Sequence, residues 1–284
     1  MKKENTKPTK KEHFIAKIYL KGFSDDGKRV YGYNIAEEKQ YPEPFPIDNI
    51  CQKRYLFEYR DNNGNIIMLN QTEKLLGKID SNFAVYRNLL EKKVFDEEIK
   101  DTTKFFEKDE IDFWNGFASV QALRFPDILQ SLTDKLLKLS DGKLTKHEAR
   151  NIVLNDTISY QSIMNPNVYS TYDYVFELFK DMSVSLFVDT TDSIFTHDRV
   201  LSFGKTNEAT KPNVVLLPIT SKMVIAFYDK EYESEYGKNS LHIFESKELE
   251  DYKRCTTTDA KWIYSRKPLT DREKQILNER SKNI

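Results

Sequence analysis

Apolar spacing changes twice along this 284-residue chain, and that change limits its fold more than any motif. Up to residue 69, aromatic and β-branched residues come in short runs broken by Gly, Pro, Asn and Asp, the signature of strands and turns. From Asn70 the period shifts to about 3.5, and Leu75, Leu76, Ile79, Phe83, Tyr86, Leu89 and Leu90 share one face, which predicts a long helix over 71–92. Helices are expected to follow over 108–125, 127–139, 145–163 and 168–182, punctuated by Pro126, Asp141-Gly142 and Asn165-Pro166. After Asp181 the strand pattern returns over 184–188, 194–196, 214–217, 223–228 and 241–244, with helices near 246–253 and 270–282.

Two hairpins are expected in the first part. Ser24-Asp25-Asp26-Gly27 is a turn between a strand or short helix at 15–23 and the strand 28–33, and Asp61-Asn62-Asn63-Gly64 separates 54–59 from 66–69. Tyr41-Pro42-Glu43-Pro44-Phe45-Pro46 reads as an extended connector, because proline cannot donate to a ladder. Strand segments at both ends of a helical middle must meet in space, so the expected class is α+β. We expect a basic arm at 1–12 and one domain from 13 to 284, β-rich over 13–69, helical over 70–182 and mixed over 183–284.

Lys+Arg number 44 and Asp+Glu 45, so no global field selects nucleic acid or an anionic membrane, although Lys2, Lys3, Lys7, Lys10 and Lys11 could lie on phosphates. Cys51 and Cys255 have no paired spacing, which argues against a thiolate zinc cluster and for a reducing, cytoplasmic location. No apolar run reaches the roughly 20 residues that span a bilayer, so no membrane partner is expected. The glycines are scattered singly, which disfavours phosphate loops of the Walker or Rossmann type.

Groups capable of chemistry are concentrated in two apolar settings, around His13 and around Thr196-His197-Asp198-Arg199. His13 can act as base, acid or ligand near neutral pH. Glu73 and Asp80 lie seven apart on the long helix and so share a face, where two carboxylates could hold a divalent cation or position water. Gln121 and Arg124 sit one turn apart on an aromatic-rich helix, and a buried guanidinium demands an anion, for which Asp198 or a phosphate is the expected partner. If the strand continues through residue 199, alternation places His197 and Arg199 on one face as a cationic pair and Asp198 on the other. Tyr19, Tyr31, Tyr33, Tyr55 and Tyr59 near Arg29, Arg54 and Arg60 could stack bases, or simply reflect the β-preference of tyrosine.

The order of short motifs resembles a family known as domain of unknown function 4238. Its opening His-Phe-x-Pro-x-x-Tyr-Leu-x-x-Phe is matched by residues 13–23, with Ala16 at the proline position, and its tyrosine-bearing strand by residues 30–33. Its paired acids, Gln-x-x-Arg helix, Thr-Ser-Asp-x-Pro segment and Leu-Pro-Ile-Ser strand end are matched by Glu73 and Asp80, Gln121 and Arg124, residues 196–200 and residues 217–220. His197 and Val200 depart from the Thr-Ser-Asp-x-Pro segment. The resemblance spans nearly the whole chain and implies no particular activity, but the family's accessory distribution in bacteria suggests defence or toxicity.

Two functions are therefore expected. One is a nuclease-like or phosphodiester-acting effector, with His13, Glu73 and Asp198 catalytic, Gln121, Arg124, His197 and Arg199 binding, and nucleic acid or a nucleotide as partner. The alternative is a non-enzymatic module that binds protein or nucleic acid and whose polar cluster is structural.

Overall fold

The computed structural model describes residues 10–96, 102–159, 162–163, 169–204, 213–255 and 260–281. The fold is α+β. Lys2, Lys3 and Lys7 of the expected arm, and Asn165-Pro166, lie outside the described residues. Residues 11 and 12, expected in that arm, instead belong to strand β1 (Lys11–His13), which pairs antiparallel with a later strand, Gln52–Arg54.

Of the two forms expected for residues 15–23 the helical one is found, as a short helix α1 (Lys17–Leu20) and a 3-10 turn over Lys21–Phe23, after which the expected strand follows as β2 (Arg29–Asn34). Strands β3 (Lys39–Gln40) and β4 (Phe45–Pro46) flank β2, and β5 is the partner of β1 (Gln52–Arg54). The second hairpin exists but is shorter than expected: β6 (Tyr59–Arg60) pairs with β7 (Ile66–Met68) across the Asn63-Gly64 turn. The helical middle follows the apolar period, as α2 (Gln71–Phe95), α3 (Lys108–Leu123), α4 (Pro126–Leu139), α5 (Lys146–Thr157) and α6 (Thr171–Lys180). Helices α3, α5 and α6 each start with a capping box, in which the first residue and an acid three positions on satisfy each other's backbone amides.

Past residue 182 come β8 (Ser183–Val188), β9 (Thr196–His197), β10 (Ser202–Gly204), β11 (Val214–Thr220) and β12 (Met223–Tyr228). A one-turn helix α7 (Glu233–Tyr236), β13 (Ser240–Ile243), α8 (Ser246–Cys255), β14 (Trp262–Ser265) and α9 (Asp271–Ser281) complete the described chain. One five-stranded sheet runs β10-β11-β12-β8-β13, with every residue of β8 and β12 buried. The other runs β3-β2-β14-β9 with β4 beside β2, and there the two ends of the chain meet as expected.

Three of the motifs meet at one side chain. Buried Tyr19 donates its hydroxyl to the Pro218 carbonyl at 2.6 Å and lies 2.8 Å from Thr196 Oγ1, so the opening motif, the Thr-Ser-Asp-x-Pro segment and the Leu-Pro-Ile-Ser strand end share one polar junction. Its ring packs on Phe83, which stacks on Phe117 at 4.6 Å, and so α1, α2 and α3 are locked around that junction. Gly22 passes so close to β11 that a Cβ would come within 2.5 Å of the Ile219 carbonyl oxygen, a contact that only glycine allows.

Candidate functional site

Backbone stops place the key side chains. Phe125 precedes Pro126 and is extended, at φ −70° and ψ 134°, because proline's ring disfavours helix in the residue before it. Helix α3 therefore ends with Arg124 at its C-cap, and the side chain turns inward until it is 2 % exposed. There Nη1 donates to Asp80 Oδ1 at 2.9 Å and Nη2 to the His13 carbonyl at 2.7 Å. The expected Arg124–Asp198 pair is thus corrected: α2 brings Asp80 to the guanidinium first. Asp198 instead accepts a hydrogen bond from the Lys261 amide at 3.0 Å, tying its loop to the lead-in of β14.

His13, Glu73, Asp80 and Arg124 all line one cavity of about 420 Å³, with Lys17 and Ser81 at its wall. The His13 ring is 8 % exposed and its Nε2 has no protein partner, nor has Arg124 Nε. Burial, with help from Lys17 and Arg124, holds His13 down at about 4, against an opposing pull from the Ile47 backbone, so the imidazole is neutral near pH 7. Burial also raises Glu73, reinforced by Asp80 and Glu58 and opposed by Arg124 and Lys17. The Glu73 and Asp80 spacing therefore gives the shared face that seven residues imply.

Behind the cavity lies a residue the sequence reading missed. Glu12 is fully buried in β1, where its Oε2 accepts the Phe57 amide at 2.8 Å and its Oε1 has no partner. Burial raises its carboxyl to about 7, with Glu58 and Glu73 adding to the effect. In the sequence Glu12 looks like part of a solvated charge run after Lys10 and Lys11, and alternation with buried His13 gave no separate signal.

Of the other expected site residues, Gln121 is 2 % exposed with neither amide atom partnered, but it does not line the cavity. The alternation expected through residue 199 fails because β9 ends at His197 and Val200 takes φ +66° in a turn. His197 Nε2 lies 2.8 Å from Ser202 Oγ, and its Nδ1 accepts the Arg199 amide at 3.2 Å, so both ring nitrogens are spent on that turn. The Arg199 guanidinium stacks 4.2 Å from the Phe125 ring centre and reaches Asp127 at 3.3 Å, rather than forming a cationic pair with His197. Tyr19, Tyr33 and Tyr59 are buried, which for them leaves the β-preference of tyrosine, the second of the two readings, in place of base stacking.

Among the described residues, no three His, Cys, Asp or Glu side chains are grouped so as to hold a metal ion. None of the described helices is long and apolar enough to cross a membrane.

A buried arginine at a helix end, clamped between a carboxylate of α2 and the carbonyl of the motif histidine, joins the opening motif, the paired acids and the Gln-x-x-Arg helix of one family. The chain belongs to that family, described as "Protein of unknown function (DUF4238)", which matches residues 11–276. Comparison with curated proteins and with solved structures gave no match.

Proposed function

We propose that the cavity walled by His13, Glu73, Asp80 and Arg124 is an acid–base site acting on phosphodiester or nucleotide substrates, and that the protein is a nuclease-like effector in defence or toxicity. One observation supports this reading: an almost enclosed, neutral imidazole whose Nε2 has no protein partner lines the same cavity as a carboxyl pushed upward by its surroundings. Environments that force two titratable groups in opposite directions supply a base and an acid at one pH. In this scheme His13 Nε2 takes the proton of the attacking hydroxyl or water, and Glu73 returns a proton to the leaving oxygen. Arg124 holds Asp80 in place, while Lys17 supplies positive charge at the wall. Asp198 has no part in the scheme, since it is bound to Lys261 outside the cavity.

A binding module with a structural polar cluster is favoured by one fact, that both Arg124 Nη atoms are already satisfied by protein. The two readings separate in a single experiment. Wild type and His13→Ala, matched for thermal midpoint, are induced in bacteria while growth and the integrity of total RNA and DNA are followed, and the purified proteins are then incubated with both nucleic acids. The acid–base reading expects growth arrest and cleavage from wild type alone. Equal behaviour of the two proteins rejects it in favour of the binding module.

A further inference from the structure

The His13 cavity is the first of three that adjoin along α1. Lys17 and Ile18 wall it and also wall a second cavity of about 680 Å³. Lys21 belongs to that second cavity and to a third of about 570 Å³, which Arg87, Phe95, Lys222 and Arg266 also line. The short helix and the 3-10 turn after it form a common ridge, on which Lys17 and Lys21 are four residues apart and so point the same way.

The charge on this path differs from that of the molecule. Nine Lys and Arg side chains line the three cavities against six Asp and Glu, and Arg266 is paired besides with Asp25 and Asp192, so the excess of cations rests on Lys21 and Lys222. Some of the cations are neutralised locally: Lys17 lies 2.5 Å from Asp48, Arg29 3.0 Å from Asp26, and Arg266 3.0 Å from Asp192. No described carboxylate forms an ion pair with Lys21 or Lys222. The Lys222 ammonium instead stands 5.3 Å from the centre of the Phe95 ring, which is 46 % exposed on the wall of the third cavity.

A cationic path with an exposed ring on it is the equipment by which proteins hold single strands, since cations follow the phosphates while bases stack on rings. We propose that the α1 ridge binds single-stranded nucleic acid, with phosphates along Lys21 and Lys222 and a base on Phe95, and that it leads the strand towards the His13 cavity. Its direction rests on the phosphodiester reading of that cavity, whereas the binding itself does not. A duplex fits the same charges but keeps its bases stacked on one another, so Phe95 is what separates the two ligands.

The test is fluorescence anisotropy of fluorescein-labelled oligo-dT and oligo-rU of about 16 nucleotides, the upper end of a one-domain site, titrated over a range of salt. Wild type should bind with a log–log salt slope of about −0.7 for each phosphate contacted. The double variant Lys21→Glu, Lys222→Glu should bind about tenfold or more weakly, with a slope shallower by about 1.4. Phe95→Ala should lose roughly fivefold or more, as expected for one stacked base, while inorganic polyphosphate competes equally well against both proteins. The proposal is overturned if wild type fails to bind at low salt, or if the double variant, with unchanged thermal midpoint, binds as wild type. It is equally overturned if a duplex binds as tightly and Phe95→Ala has no effect. Binding that follows these rules without cleavage would reject the acid–base reading and leave the track standing.

Discussion

His13 and His197 both begin from the same physics and end in different conditions. Each is almost enclosed, and burial drives each below its ordinary range, to about 4 and about 3, so both are neutral at pH 7. His197 uses Nε2 on Ser202 and Nδ1 on the Arg199 amide, which closes a turn of the chain and leaves nothing for chemistry. His13 lines a cavity and keeps its buried Nε2 without a protein partner, while its backbone carbonyl anchors Arg124. Neutrality therefore does not separate a working histidine from a structural one. The difference is whether the second nitrogen is spent.

The strongest way to break this comparison is to delete each ring. His197→Ala removes a filled core position and strands Ser202 Oγ and the Arg199 amide, so a loss of about 3 kcal/mol is expected. His13→Ala removes a ring that borders a cavity and has one unpaired nitrogen, and about 1 kcal/mol is expected. Urea unfolding with an unchanged m-value measures both. If His13→Ala costs as much as His197→Ala and alters no reaction, His13 is a packing residue and the contrast disappears.

A second experiment sharpens the comparison through pH. Each histidine is more acidic in the folded state than its ordinary 6.5, so the unfolded chain binds the extra proton and stability is lost as pH falls from 6.5 towards 4. Glu12 works in the other direction, because its folded value of about 7 lies above 4.5. The native state then holds a proton that the unfolded chain has released, and stability is lost as pH rises from 4.5 to about 7. In wild type the two trends oppose each other over most of this window. Glu12→Gln removes one of them, so the variant should gain on wild type by about 1–3 kcal/mol between the lower and upper ends of that window. Denaturation midpoints at a series of pH values read the slope, whatever the absolute cost of the amide. Parallel curves for the two proteins would mean that Glu12 ionises normally.

How far the sequence foretold this follows from which forces act locally. The helices were legible because an apolar face repeats over many turns, and Glu73 with Asp80 shared a face for the same reason. The partner of Arg124 was not legible. Any buried guanidinium needs an anion, but only the packing of α2 on α3 decides that Asp80 rather than Asp198 supplies it. Strand β14 is four residues long in a polar stretch and was missed, since its place is fixed by β2 and β9 on either side rather than by its own pattern. Alternation misled at Asp198 because it presumes a strand that continues, and this one turns after two residues. The motif histidine, glutamate and arginine were found from their types and came together. Glu12 was hidden by its lysine neighbours.

The smallest expected effect tests the His13 side of the comparison without touching a polar group. Ala16 stands where the family carries proline, lines the cavity, and has φ −58° and ψ 135°, within the range a proline ring imposes. Its carbonyl accepts the Tyr19 and Leu20 amides, but no hydrogen bond from its own N–H is found among the described residues. Ala16→Pro should therefore restrict the unfolded chain at no cost to the native one and stabilise by about 0.4–1 kcal/mol, a rise of roughly 1–4 °C in thermal midpoint for a chain of this size. The turn from β1 into α1 would also be stiffened, so any activity that depends on His13 should keep its pH profile. A lower midpoint would show that Ile15 cannot take the conformation that proline demands of the residue before it. In that case the alanine here is an adaptation of this chain, and the loop that aims His13 differs from that of relatives with proline.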